Sequence, residues 1–141
     1  MDLERAYLYF FNDKDEPQLH GASGITRNFK PKPSFHAMSH LYYSLGEYRF
    51  SRAVARKDGD LYCFEYQHGS RANDRVYVAW LATGEQKPAR RTLALGAASA
   101  GVYRAERMPM TADGSGEVGW KATALGVDVE IGGSPVFLWS R

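Results

Sequence analysis

From Arg49 onward, apolar and polar residues alternate in short runs, each closed by turn-forming residues. A period of two is the signature of strands with one face buried. The pattern predicts strands near Phe50–Arg56, Leu61–Gln67, Arg75–Leu81, Arg91–Leu95, Val102–Arg107, Lys121–Ala124, Val127–Ile131 and Val136–Trp139. Tyr62, Phe64 and Tyr66 share one face, with Leu61, Cys63, Glu65 and Gln67 on the other. Val76, Val78 and Trp80 alternate in the same way with Tyr77, Ala79 and Leu81. The breaks fall at Lys57 to Asp60, His68 to Ser70, Thr83-Gly84, Gly96 to Gly101, Ala112 to Gly116 and Gly132 to Pro135. Asp58-Gly59 is the strongest hairpin signal, because this pair readily adopts the positive φ angles of a tight turn.

The N-terminal third is patterned differently. Ala6 to Phe11 is an unbroken apolar run of strand length, closed by Asn12 to Pro17; such a run fits a strand buried on both faces. Pro33 suits the first turn of a helix, which is predicted from Ser34 to about Leu45. Phe35, Met38, Leu41, Tyr42 and Leu45 recur at steps of three and four and form one apolar stripe. Gly46 is expected to end the helix as a C-terminal glycine. The expected fold is therefore mainly β, an antiparallel β-sandwich of about 7–8 strands with one N-terminal α-helix. Residues 1–48 hold the strand, loop and helix, residues 49–141 the sandwich, and the two pack as one unit.

At 141 residues the chain is long enough for one self-sufficient core. No apolar run reaches the roughly 20 residues that a membrane helix needs, and the opening residues Met1 to Arg5 lack the pattern of a secretory signal. Cys63 is the single cysteine, which rules out an intrachain disulfide and a zinc site made of cysteines. A net charge of +2 gives too weak a field to suggest nucleic acid, and Lys87 to Arg91 reads as a solvated loop. Three tryptophans, nine tyrosines and seven phenylalanines suit both sheet packing and sugar-binding faces.

Tyr9 to Asp13, Gly21 to Ile25 and Lys30-Pro31-Lys32-Pro33-Ser34-Phe35-His36-Ala37 follow one another in an unusual order of parts. This order resembles the last β/α unit of (β/α)8-barrel glycoside hydrolases of clan A, the family 39-like xylosidases in particular. In those enzymes a β-sandwich follows the barrel and often closes on a sequence like Pro135-Val136-Phe137-Leu138. The resemblance implies that the catalytic glutamates, which stand on the fourth and seventh barrel strands, are not in this sequence. It also implies a glycoside hydrolase barrel as the partner against which the chain packs.

A glycosidase needs two carboxylates across the scissile bond at a defined separation, and no pair in the sequence is a convincing match. Asp13, Asp15 and Glu16 form the best acidic cluster, read either as a solvated turn or, in an intact barrel, as groups that bind sugar hydroxyls. Glu65 is expected at solvent or a sheet edge, and Asp128 and Glu130 on a polar strand face. His36 and His40 have the spacing of a two-histidine metal site but lack the glutamate between them, and His20 and His68 add no spacing that favours one. No metal and no cofactor is expected. Gly21-Ala22-Ser23-Gly24 falls short of the hydrolase elbow, and Cys63 reads as an inert core thiol. Trp80 and Trp139 suit the core, whereas Trp120 follows a glycine-rich loop and is expected to be partly exposed. A carbohydrate surface would be sought first at Trp120 with Tyr103 or Tyr77, and at Asp13 and Asp15.

The sequence thus points to a non-catalytic accessory β-sandwich of a glycoside hydrolase-like protein. Its expected partner is a catalytic barrel or, through the apolar strand Tyr7 to Phe11, a second copy of itself. The alternatives are a carbohydrate-binding module using exposed aromatic residues and, less supported, a small hydrolase using Asp13, Asp15 or Glu16.

Overall fold

A computed structural model of the chain describes residues 8, 11–14, 21–82, 88–114 and 116–141. Most of the apolar run Ala6 to Phe11, together with Asp15, Glu16, Pro17, His20, Thr83-Gly84, Lys87 and Ser115, lies outside the described residues.

The chain is mainly β. Two short strands, β1 (Thr26–Arg27) and β2 (Lys30–Pro31), form a hairpin ahead of helix α1 (Pro33–Leu45). The strands of the sandwich are β3 (Tyr48–Asp58), β4 (Leu61–His68), β5 (Arg75–Leu81), β6 (Ala89–Leu93), β7 (Val102–Arg107), β8 (Gly116–Glu117), β9 (Trp120–Ala122), β10 (Val127–Ile131) and β11 (Val136–Ser140). Six of them form one antiparallel sheet in the order β3-β4-β5-β11-β7-β8, and three form a second in the order β6-β10-β9. The last strand, β11, enters the middle of the large sheet, with Phe137 opposite Val78 on one side and Glu106 on the other.

Side-chain alternation sets the layers. Leu61, Cys63, Tyr77, Ala79, Leu81, Val136 and Leu138 point from the large sheet onto Leu93, Val127, Val129 and Ile131 of the small one, which closes the sandwich core. Val76, Val78, Phe137 and Trp139 point to the opposite face and make a second cluster, against which Leu45, Tyr48, Tyr66, Trp80 and Met108 pack. Strand β11 is buried along its whole length because it lies between these two clusters. Full burial of a side chain such as Phe137 contributes about 1.5–3 kcal/mol.

Several boundaries differ from the sequence reading. The turn between β3 and β4 is Gly59-Asp60, one residue beyond the expected pair, since Asp58 still pairs with Leu61. Gly59 takes φ +65° and is the one turn residue of positive φ, as a type II′ turn requires. Strand β6 begins at Ala89, two residues before the expected Arg91, so Ala89 and Arg90 belong to a strand and not to a loop. Gly46 does follow the helix, but in right-handed conformation (φ −56°), so it is no left-handed cap. A side chain there would place its Cβ 2.6 Å from the Tyr42 carbonyl oxygen. The β1–β2 turn had no glycine to announce it: Asn28 and Phe29 both take positive φ, +50° and +58°. The Phe29 amide is held by the Oδ1 atom of Asn12 at 2.9 Å.

Candidate docking face

Asp13 is interior rather than a solvated acid. Its side chain accepts hydrogen bonds from the Gly24 amide at 2.9 Å and from Lys32 Nζ at 3.2 and 3.3 Å, and Arg27 Nε lies 3.5 Å away. The same ammonium donates to the carbonyls of Gly24 and Ala22 at 2.7 and 3.1 Å. Lys32 stands at the N-cap of α1 without capping it, because an ammonium only donates and the free N–H groups of a helix start need an acceptor. A carboxylate so enclosed has little left to offer a sugar hydroxyl.

The aromatic candidates do not converge on one surface. Tyr77 is fully buried, so its ring is closed to any ligand; burial, with Glu65 beside it, pushes its hydroxyl up to about 12. Trp120 is half-buried and packs against the sandwich core. Tyr103 is exposed, but the guanidinium of Arg141 lies over its ring, 4.8 Å from the centroid. Trp139 is buried as expected, with Arg104 over its ring.

Several of the carboxylates are engaged in ion pairs. Glu65, expected at solvent or an edge, is buried; Arg52 reaches it at 2.9 Å and Ser51 and Arg75 lie close. A buried charge is retained only when paired in this way. Glu106 meets Arg104 and His40, Asp74 meets Arg71 and Tyr48, and Glu130 meets Arg107. A depression of about 540 Å³ is lined by Arg71, Ala72, Asn73, Asp74 and Arg141, where Asp74 is already bonded. Among the described residues no cluster of three metal-binding side chains occurs, and no helix is long and apolar enough to cross a membrane.

The feature the sequence did not reveal is the orientation of α1. Phe35, His36, Ala37, Ser39, His40 and Ser44 are half-buried. The His40 ring stands edge-on to Phe137, with centroids 4.6 Å apart, and to Trp139 at 6.5 Å. Burial lowers the His40 pKa below its ordinary value; the Glu106 carboxylate opposes that shift and Arg104 reinforces it. Of the apolar stripe, Leu45 alone joins the cluster beneath. Met38, Leu41 and Tyr42 are 44, 38 and 74% exposed, and no residue of α1 is fully buried. An amphipathic helix normally turns its apolar stripe to the core; this one turns most of it outward.

Beside the helix, the same side of the large sheet carries a row of rings. Phe50, Tyr62, Phe64, Tyr66 and Trp80 all retain solvent contact. Tyr62 and Trp80 are stacked at 5.3 Å and 8°, and Phe64 meets Trp80 and Phe50 edge to face.

No protein-family model and no curated protein sequence matches the chain. Among solved structures, a family 39 glycoside hydrolase from the gut symbiont Bacteroides cellulosilyticus WH2 is similar in fold, with a TM-score of 0.67 and 16% sequence identity. The similarity covers 93% of this chain and 25% of that one, so the chain spans about a quarter of the length of the protein it matches. The fold read from sequence is thus similar to that of one part of this family 39 glycoside hydrolase.

Proposed function

We propose that the chain is a non-catalytic accessory β-sandwich of a glycoside hydrolase-like protein, which packs through α1 against a (β/α)8 catalytic barrel. The observation that carries this reading is the outward apolar stripe, Met38, Leu41 and Tyr42, on a helix whose inner contacts are made by His40. An apolar stripe of that kind is the surface by which a helix joins a further layer. The fold likeness to a quarter of a family 39 glycoside hydrolase supports the same reading.

The rival reading is a carbohydrate-binding module built on Trp120 and Tyr103. It is less well supported because one ring is packed against the core and the other is covered by Arg141.

The test is to translate the DNA directly upstream of the Met1 codon and express whatever frame continues into it. The reading requires an in-frame barrel of roughly 250 residues with two strand-terminal glutamates. The joined protein should cleave aryl glycosides, and residues 1–141 alone should not. A stop codon upstream, with a barrel encoded nowhere in the same operon, would overturn it.

A further inference from the structure

The large sheet is wider than the helix that covers it. Six strands roughly 5 Å apart give room for two helices of about 10 Å diameter laid side by side. Helix α1 occupies the half over β11 and β7, where His40 meets Phe137, Trp139 and Glu106. The half over β3, β4 and β5 bears Phe50, Tyr62, Phe64, Tyr66 and Trp80, and Phe50 is 61% exposed. The two halves meet at one cluster: Leu45 of the helix and Tyr66 and Trp80 of the ring row pack against the same Val76, Val78, Phe137 and Trp139.

The rings are arranged for a protein rather than a sugar. A pyranose stacks on a ring face turned to solvent. Here Tyr62 and Trp80 turn their faces to each other, and Phe50 meets both Phe64 and Tyr66 edge to face at about 80°. The surface that results is a relief of edges and grooves, the kind that helix side chains interdigitate with. Charge adds a second requirement. Arg56 is exposed, is the register partner of Tyr62, and has no partner among the described residues. A cation at one end of an apolar row calls for a carboxylate on whatever covers it.

We infer that the open half of the sheet receives an amphipathic α-helix of the partner, lying beside α1, its apolar stripe on the ring row and an acidic residue against Arg56. The inference rests on the docking reading above, in that the same partner supplies this helix. It is tested in the native host, in the chain as encoded at its own locus, by placing the photo-cross-linking residue p-benzoylphenylalanine at Tyr42, Phe50 or Phe64 in turn. Tyr42 and Phe50 are exposed, so these replacements leave the fold intact.

The expected result is that all three positions label one polypeptide, Phe50 and Phe64 labelling residues three or four apart in a segment with an acidic residue at one flank. Arg56→Glu should lower the Phe50 adduct about tenfold, the effect of some 1.4 kcal/mol, and leave the Tyr42 adduct unchanged. Labelling from Tyr42 with none from Phe50 would overturn the second helix while sparing the docking reading. Adducts at alternate residues, on a second copy of this chain, or of hexose mass would overturn it in favour of a strand, a self-association face or a glycan. No adduct at any of the three positions would overturn both.

Discussion

His40 Nε2 lies 3.5 Å from Glu106 Oε2 at the seam between α1 and the sheet. Because burial lowers the His40 pKa in the folded protein, the unfolded chain binds the proton more readily. The contribution of neutral His40 is fully present above its unfolded value of 6.5 and is lost as pH falls below it toward the lowered folded value. Glu106 and Arg104, the charged groups facing the ring, act in opposite directions and leave burial as the largest influence. Thermal unfolding of the wild type and His40→Gln at several pH values between 7.5 and 5 checks this. The stability advantage of the wild type should shrink as pH falls; parallel curves would show that His40 does not titrate at the seam.

The outward stripe of α1 should contribute little to the stability of the isolated chain. Met38→Gln, Leu41→Gln and Tyr42→Gln are each expected within about 0.5 kcal/mol of wild type, as exposed sites generally are. Phe137→Ala, which empties a fully buried site between β5 and β7, should cost about 3–5 kcal/mol. Urea unfolding separates the two classes. A large loss at Met38 or Tyr42 would mean that the stripe is packed and that α1 presents a different face.

That contrast also marks the limit of the sequence reading. Period-two alternation placed Tyr62, Phe64 and Tyr66 opposite Leu61 and Cys63 correctly, because each strand must turn one set toward the core. It could not show that β5 and β11 lie at the centre of the large sheet with both faces covered, and so it left Tyr77 as a candidate for a surface where the structure has none. The helix was legible from its period, but not the direction it faces. His36 and His40 look polar in sequence, yet His40 is the residue that meets Phe137. Glu65 was misplaced for a related reason: its buried position depends on Arg52 and Arg75 arriving from two neighbouring strands. Asp13 likewise gains its partner from Lys32, far along the chain.

The Asp13–Lys32 staple should be a local device. Asp13→Ala leaves the buried Gly24 amide without its acceptor and removes the carboxylate from Lys32 and Arg27. Breaking an enclosed ion pair costs about 3–5 kcal/mol, and the partial exposure of Lys32 puts this one near the lower figure. Hydrogen exchange should then speed up about a hundredfold at the amides of Ile25 and Thr26, which bond the Phe11 carbonyl. Exchange in β4 and β5 should stay as it is. Equal acceleration everywhere would mean that the loop and the sandwich unfold as one.

Cys63 and Tyr77 give the chain an alkaline limit. Burial, with Glu65 second, pushes the Cys63 thiol from 9.0 up to about 12, and Tyr77 rises from 10.0 to about the same value for the same reasons. Both groups hold their protons more firmly when folded, so their contribution is complete below pH 9 and is lost as pH rises toward 12. Thiolate, and not thiol, attacks a disulfide reagent. At pH 8 Cys63 should therefore react only through opening of the sandwich, at a rate that climbs with urea in step with global unfolding. Cys63→Ala should soften the fall in stability above pH 9. Prompt labelling in native buffer, insensitive to urea, would show instead that the thiol is reached without opening the core between the two sheets.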